Sequence, residues 1–217
     1  MPPKQQYTRE DILDAAFTLM REEGLPGLSV RKIAERLHCS TAPVYTYCRD
    51  MVEVREAVME QALALLMDFT DRDYTYDVFL NVGVGLLVYA RENPLLYREL
   101  FMNGNRYSHM LKKFNDSRIK AIQSEPFANA LDQEKLRAIY DKLAVFSHGL
   151  AAMVCADMLA DTSDSFFIKS LMEAGADFMG SAVFRSGKIG LLTKMTADPK
   201  YRSLSFDFKI ELKSGRK

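Results

Sequence analysis

The chain has 217 residues, 48% of them hydrophobic and 27% charged, with 29 basic side chains against 29 acidic ones. A formal net charge of zero excludes a polycation that coats nucleic acid through bulk charge, but leaves room for a local basic surface. Three cysteines (Cys39, Cys48, Cys155) with no C-x-x-C pair exclude a disulfide framework and predict reduced thiols.

The N-terminus, Met1-Pro2-Pro3-Lys4, lacks a charged-then-apolar secretory pattern. The longest uncharged apolar stretch, Val78 to Ala90, is 13 residues, short of the roughly 20 that a membrane span needs. The expectation is a soluble, cytoplasmic protein with no membrane partner.

Helical periodicity runs through most of the chain. From Thr8 to Glu23, Ile12, Leu13, Ala16, Leu19 and Met20 recur at spacings of three and four, one apolar stripe. Thr8 is placed to cap this helix, with Asp11 three residues on, and Gly24 to end it. Leu25-Pro26-Gly27 reads as a turn. Ser29 then caps a second helix whose apolar face is Val30, Ile33, Ala34 and Leu37. Ser40 is the expected cap of a third short helix, Thr41 to about Cys48, with Pro43 in its first turn, where no amide donor is needed.

Beyond Asp50 the predicted helices lengthen: Met51–Phe69, Tyr74–Asn93, Pro94–Met102, Arg106–Ser124, a single long one from Asp132 to Asp161, and Ser163–Arg185. In the tail, Leu204, Phe206, Phe208, Ile210 and Leu212 alternate strictly with polar residues from Ser203 to Lys213, the period of a strand. The predicted organisation is a head over 1–50, a helical body over 51–190 and a tail over 191–217. No repeat or low-complexity segment interrupts it.

Three short helices joined through Leu37-His38-Cys39-Ser40 form the pattern of a helix-turn-helix, in which one helix braces the next for entry into the major groove. Between Ser29 and Arg49 stand four cations (Arg31, Lys32, Arg36, Arg49) and one acid (Glu35), a local excess of three. Lys4 and Arg9 extend that surface toward the N-terminus. The third helix is nearly free of charge, and its hydroxyls on Thr41, Tyr45, Thr46 and Tyr47 suit phosphates or base edges.

The stretch from Thr8 to Val54 resembles the DNA-binding head of the TetR-like transcriptional regulators, and the helical body extends the likeness over most of the chain. The resemblance implies an all-α fold: a helix-turn-helix head and a larger antiparallel helical domain for ligand binding and dimerisation. It implies a homodimer on a near-palindromic double-stranded DNA operator, its heads one helical turn (about 34–36 Å) apart. Carried over by position, Thr41, Ala42, Pro43 and Thr46 face bases, while Ser29, Tyr45 and Tyr47 hold phosphates; Lys4, Arg31, Ser40 and Arg49 complete the expected DNA surface. Three positions depart from the family pattern. His38 stands where glycine is usual, Cys48 where an aromatic closes the third helix, and Met51 where a lysine grips a phosphate. Arg49 is the natural substitute for that lysine. Cys39 and Cys48 together raise the idea of a redox switch on DNA binding.

In the long helix, Leu136, Ile139, Leu143, Phe146, Leu150, Met153 and Asp157 follow a 3-4 spacing, a coiled-coil-like seam. Phe167, Leu171, Ala174, Phe178 and Ala182 stripe the last helix, with Gly175 and Gly180 between them. In the resembled family two such helices pair with their mates. Ten of the 12 methionines lie after residue 50, the composition of an adaptable apolar interior. The resemblance implies a small-molecule effector there, and Tyr89, Tyr97, Phe101, Met102, Phe114, Tyr140, Phe146, His148, Met153 and Met158 are the candidate lining. No cofactor or metal is implied.

An enzyme is not indicated: the chain lacks H-E-x-x-H, G-x-S-x-G and a glycine-rich phosphate loop. The function expected is a ligand-responsive transcriptional repressor. The alternative is a helical protein-interaction module that has lost operator binding, to which the neutral charge and Met51 lend weight.

Overall fold

A computed structural model describes residues 7–104, 106–123 and 132–185. Among them the chain is helical: α1 (Arg9–Glu23), α2 (Val30–Arg36), α3 (Ala42–Tyr47), α4 (Met51–Thr70), α5 (Val78–Glu92), α6 (Pro94–Phe101), α7 (Ser108–Gln123), α8 (Gln133–Cys155) and α9 (Asp164–Arg185), with a 3-10 turn at Leu25–Gly27. No strand occurs among the described residues, and the alternating segment Ser203–Lys213 lies outside them. The residues form two compact units. One holds the described residues up to Leu66 and from Asn93 to Leu111; the other holds Met67–Glu92 and the described residues from Lys112 on.

In the first unit, α1 starts where the sequence says it should. Thr8 Oγ1 accepts from the Asp11 amide, and the Asp11 carboxylate accepts from the Thr8 amide at 2.7 Å, a reciprocal cap worth about 1 kcal/mol. The stripe of α1 is buried, with Ile12 and Ala16 wholly so, and it meets Ile33 and Ala34 of α2 and Val44 of α3 in one small core. Burying a side chain such as Ile12 stabilises by about 1.5–3 kcal/mol. Helix α6 packs on α1 and buries Leu96, Tyr97 and Leu100.

The turn after α2 shows how a side chain sits where glycine is usual. His38 takes φ of 53°, its amide donates to Glu35 O and the Cys39 amide to Ala34 O. That pair of bonds is a Schellman closure, and His38 carries the left-handed position at an exposed site. The third helix departs from expectation at its start. Thr41, not Ser40, flanks it, and no side chain caps it.

In the second unit, α5, α8 and α9 each contact the other two, and α5 is buried on every side from Val84 to Ala90. Helix α5 begins at Val78 and not at Tyr74, because Asp77 caps it: its carboxylate accepts from the Phe79 and Leu80 amides at 3.0 and 3.2 Å. The preceding loop is tied down by Asn81, whose side-chain oxygen accepts from the amide and hydroxyl of Thr75. At Gly85 an added Cβ would stand 2.6 Å from Thr70 Cα. The end of α4 therefore lies on α5 backbone to backbone, with Phe69 and Tyr89 edge to face at 5.7 Å.

Helix α8 ends at Cys155, short of the expected Asp161. Asp157 adopts φ of 56°, with Asp157 N donating to Val154 O and Met158 N to Met153 O, a second Schellman closure. Of the expected seam, Leu136, Ile139, Leu143 and Leu150 are buried within the chain, where α5 and α9 pack on α8; Phe79, Ala174 and Phe178 lie against Ile139 and Leu143. Those four residues are intrachain core, while Phe146 and Met153 are half-buried and Asp157 is exposed. By length and composition α8 alone among the described residues could cross a bilayer, and a third of its apolar stretch is buried within the chain.

Candidate nucleic-acid interface

Helix α3 presents an uncharged surface. Val44 is its buried anchor, Pro43 is half-buried, and Thr41, Ala42, Thr46 and the neighbouring Ser40 are exposed. Tyr45 is 63% exposed and Tyr47 38%, so neither ring is consumed by packing among the three helices. Thr46 spends its hydroxyl proton on Ala42 O at 2.9 Å, leaving an oxygen acceptor and a methyl outward. Ser29 caps α2 by accepting from the Lys32 amide at 3.3 Å. Lys4 lies outside the described residues.

Each cation of the expected surface among the described residues is paired with an acid, some near in the chain and some distant. Arg31 pairs with Glu35 at 2.8 Å and Arg49 with Asp50 at 3.2 Å. Arg36 forks onto Glu22 at 2.7 and 2.9 Å, Lys32 meets Glu23, and Arg9 meets Glu53 at 3.0 Å. These pairs are not equivalent. Lys32 and Arg36 tie α2 back to the end of α1, a scaffolding duty. The side chains of Arg31 and Arg49 are 87% and 82% exposed. Exposed pairs of this kind contribute about 0–1 kcal/mol, so both guanidiniums can be given up to a phosphate at small cost.

The start of α4 joins these elements. Asp50 caps it, its carboxylate accepting from the Val52 and Glu53 amides at 2.9 Å each. Glu53 reaches back to accept the Arg49 amide at 2.9 Å and the Arg9 guanidinium. The Arg49 amide and then Arg9 hold the Glu53 carboxyl below its ordinary range, and the Glu53 amide does the same for Asp50. Arg49 is therefore fixed through its backbone while its side chain stays exposed, beside a half-buried Met51. Tyr7 supplies one more tie: its hydroxyl donates to Leu37 O at 2.7 Å, pinning the segment before α1 to the turn after α2.

The sequence reading missed Tyr7 and the acids Glu22, Glu23 and Glu53. The spacing Asp50-x-x-Glu53 is a capping signature and could have exposed Glu53; nothing local announces the long-range partners. The redox idea is not supported. Cys48 is buried and its thiol is pushed up, foremost by that burial, which depletes the reactive thiolate.

The ten candidate ligand residues fall in both units. Tyr97, Phe101 and Met102 belong to the first unit with the helix-turn-helix, where the Tyr97 and Phe101 rings lie 4.9 Å apart; Met102 is exposed. Tyr89 and Phe114 are buried in the second unit, Phe146 and Met153 are half-buried, and Met158 is exposed beyond the end of α8. Tyr140 and His148 lie on one side of the same groove. Asn115, Arg137, Asp141, Ala144 and Val145 also line it, an open groove of about 460 Å³ between α7 and α8. Burial pushes the Tyr140 phenol up to about 12 and holds the His148 imidazole below its ordinary value, so both rings are neutral near pH 7.

Residues 12–58 match the family model of bacterial regulatory proteins, tetR family. No curated protein matches the chain.

Proposed function

We propose that this TetR-like DNA-binding transcriptional regulator is a repressor that holds a near-palindromic operator as a homodimer and leaves it when a small, largely apolar ligand binds the body. The observation that carries the DNA half is α3 itself: a braced helix with Thr41, Ala42, Tyr45 and Tyr47 exposed, flanked by Arg31 and Arg49 on loosely held pairs. In this reading α3 enters the major groove, its hydroxyls and methyls meet base edges, and the tyrosine hydroxyls and flanking arginines hold phosphates. Arg49 stands in for the lysine replaced by Met51.

The dimer reading is supported by a face of α8 that its own chain leaves uncovered. Val145 is 74% exposed, and a Cβ added to Gly149, one turn on, meets nothing within 4 Å. A small residue on this exposed face lets a second copy of α8 approach closely. The ligand half rests on the resemblance and on the α7–α8 groove. A ligand that favours one arrangement of the body shifts the heads away from successive major grooves, by no more than its differential affinity for the two states.

Footprinting on the DNA upstream of the protein's own gene tests this reading. Two protected half-sites related by a dyad and centred about 10 base pairs or a multiple apart are expected. A single unpaired half-site, or uniform protection, would contradict it.

A further inference from the structure

The two most exposed cations beside α3 are each held by an acid at a single nitrogen. Arg31 donates its Nε to Glu35 at 2.8 Å, and Arg49 donates its Nε to Asp50 at 3.2 Å. The terminal fork of each guanidinium, the part that suits a phosphate, stays in solvent, the side chains being 87% and 82% exposed. Each acid therefore leaves the fork open and offsets its charge. An ion pair of net charge zero pulls weakly on a phosphate that is not yet in contact, and α3 itself, Ala42–Tyr47, carries no charge.

The two acids are not alike. Glu35 lies one helical turn after Arg31, and its side chain is 59% exposed with no other bond among the described residues. Asp50 is fixed. One of its carboxylate oxygens accepts the Val52 and Glu53 amides at 2.9 Å each, while the other takes the Arg49 guanidinium. The Glu53 amide, foremost, holds the Asp50 carboxyl below its ordinary range, so it stays ionised near neutral pH. Capping α4 does not depend on that charge, because asparagine caps a helix about as well as aspartate. The negative charge at position 50 thus has a consequence separate from the cap: it stands against the arginine next to it.

We propose that Glu35 and Asp50 act as a brake on DNA binding, offsetting the charge of Arg31 and Arg49 that would otherwise draw the head onto any duplex. The inference rests on the reading in which α3 lies on DNA, and it assigns to two acids an effect opposite in sign to that of the arginines they hold. Losing either arginine weakens binding; losing either acid tightens it, on any sequence, through phosphates alone.

Fluorescence anisotropy of the full-length wild type, Glu35→Gln and Asp50→Asn tests it, with the upstream duplex and a scrambled one from about 50 to about 300 mM salt. Each variant is expected to bind both duplexes about two- to fivefold tighter at the low end, the worth of one exposed ion pair. The gain is expected to shrink toward the high end, as log K falls more steeply against log salt than in the wild type. Asp50→Asn is expected to have the larger effect, because the Asp50 charge cannot swing aside. Should Asp50→Asn disturb the start of α4, Glu35→Gln, which caps nothing, carries the test alone. Asp68→Asn frees Arg72 in the second unit from a similar exposed pair and changes the net charge by as much; it is expected to leave affinity unchanged. Affinities and salt slopes equal to the wild type in both variants, or an equal gain from Asp68→Asn, overturn the proposal. The two readings fail separately. A wild type that does not distinguish the duplexes refutes recognition by α3, while a salt-sensitive gain in the variants still upholds the brake. Discrimination by the wild type with no gain in either variant refutes the brake alone.

Discussion

Adding one methyl group at Gly85 should loosen the body. In an open helix, Gly→Ala gains about 1 kcal/mol from propensity alone. At Gly85 the new Cβ would stand 2.6 Å from Thr70 Cα and 2.7 Å from the Phe69 carbonyl carbon, with the Phe69 oxygen closer still. These are backbone atoms at the end of α4 and cannot rotate away, so α4 and α5 must part by nearly an ångström across the Phe69–Tyr89 contact. Overpacking of this kind costs about 1–3 kcal/mol, enough to reverse the sign of the propensity gain. For a chain of this size each kcal/mol moves the midpoint by about 2–4 °C. Differential scanning calorimetry of Gly85→Ala should show a fall of several degrees. An unchanged or raised midpoint would refute the close approach of α4 and α5.

Four further outcomes follow from the same geometry. Tyr45→Phe should weaken operator binding about two- to tenfold, the worth of one hydrogen bond, with an unchanged melt because the ring is exposed; anisotropy titration reads it. Arg49→Ala should lower the slope of log K against log salt by about one unit if its guanidinium holds a phosphate, and an unaltered slope would leave the Met51 position without a substitute. The carboxyls of Asp50, Glu53 and Glu22 are held low in the folded state, by the Glu53 amide, the Arg49 amide and Arg36 respectively. Their stability contribution is therefore complete above the ordinary carboxylate range and lost as pH falls through the folded values. The melting midpoint of the wild type should drop below about pH 4.5, and Glu53→Gln should flatten that acid limb; identical limbs would remove Glu53 from its role at the start of α4. Finally, Val145→Glu should leave the monomer's helicity intact and shift light-scattering mass toward one protomer; an unchanged mass would place the dimer contact elsewhere.

Local signals were the readable part of this sequence. The Thr8–Asp11 cap, Ser29, Gly24 and the apolar stripe of α1 announced the first two helices because each acts within one turn of the chain. The end of α8 was hidden because Asp157, a residue with a Cβ, occupies the left-handed position that glycine normally advertises. The pairing of the cations was hidden for a different reason: Arg36 finds Glu22 and Arg9 finds Glu53 across 14 and 44 residues, beyond the three or four positions that helical spacing connects. Side-chain type does not report the unit that each residue joins: Tyr97 and Tyr89 are both buried tyrosines, one in each unit.

The central claim is that the α3 surface reads DNA. Fluorescence anisotropy with a duplex from the region upstream of the protein's own gene, beside a scrambled duplex and across a salt series, tests it most directly. The account predicts tighter binding to the upstream duplex by at least a thousandfold, with log K falling linearly as log salt rises, at about 0.9 per phosphate contact. Equal, weak binding to both duplexes at every salt concentration would contradict it.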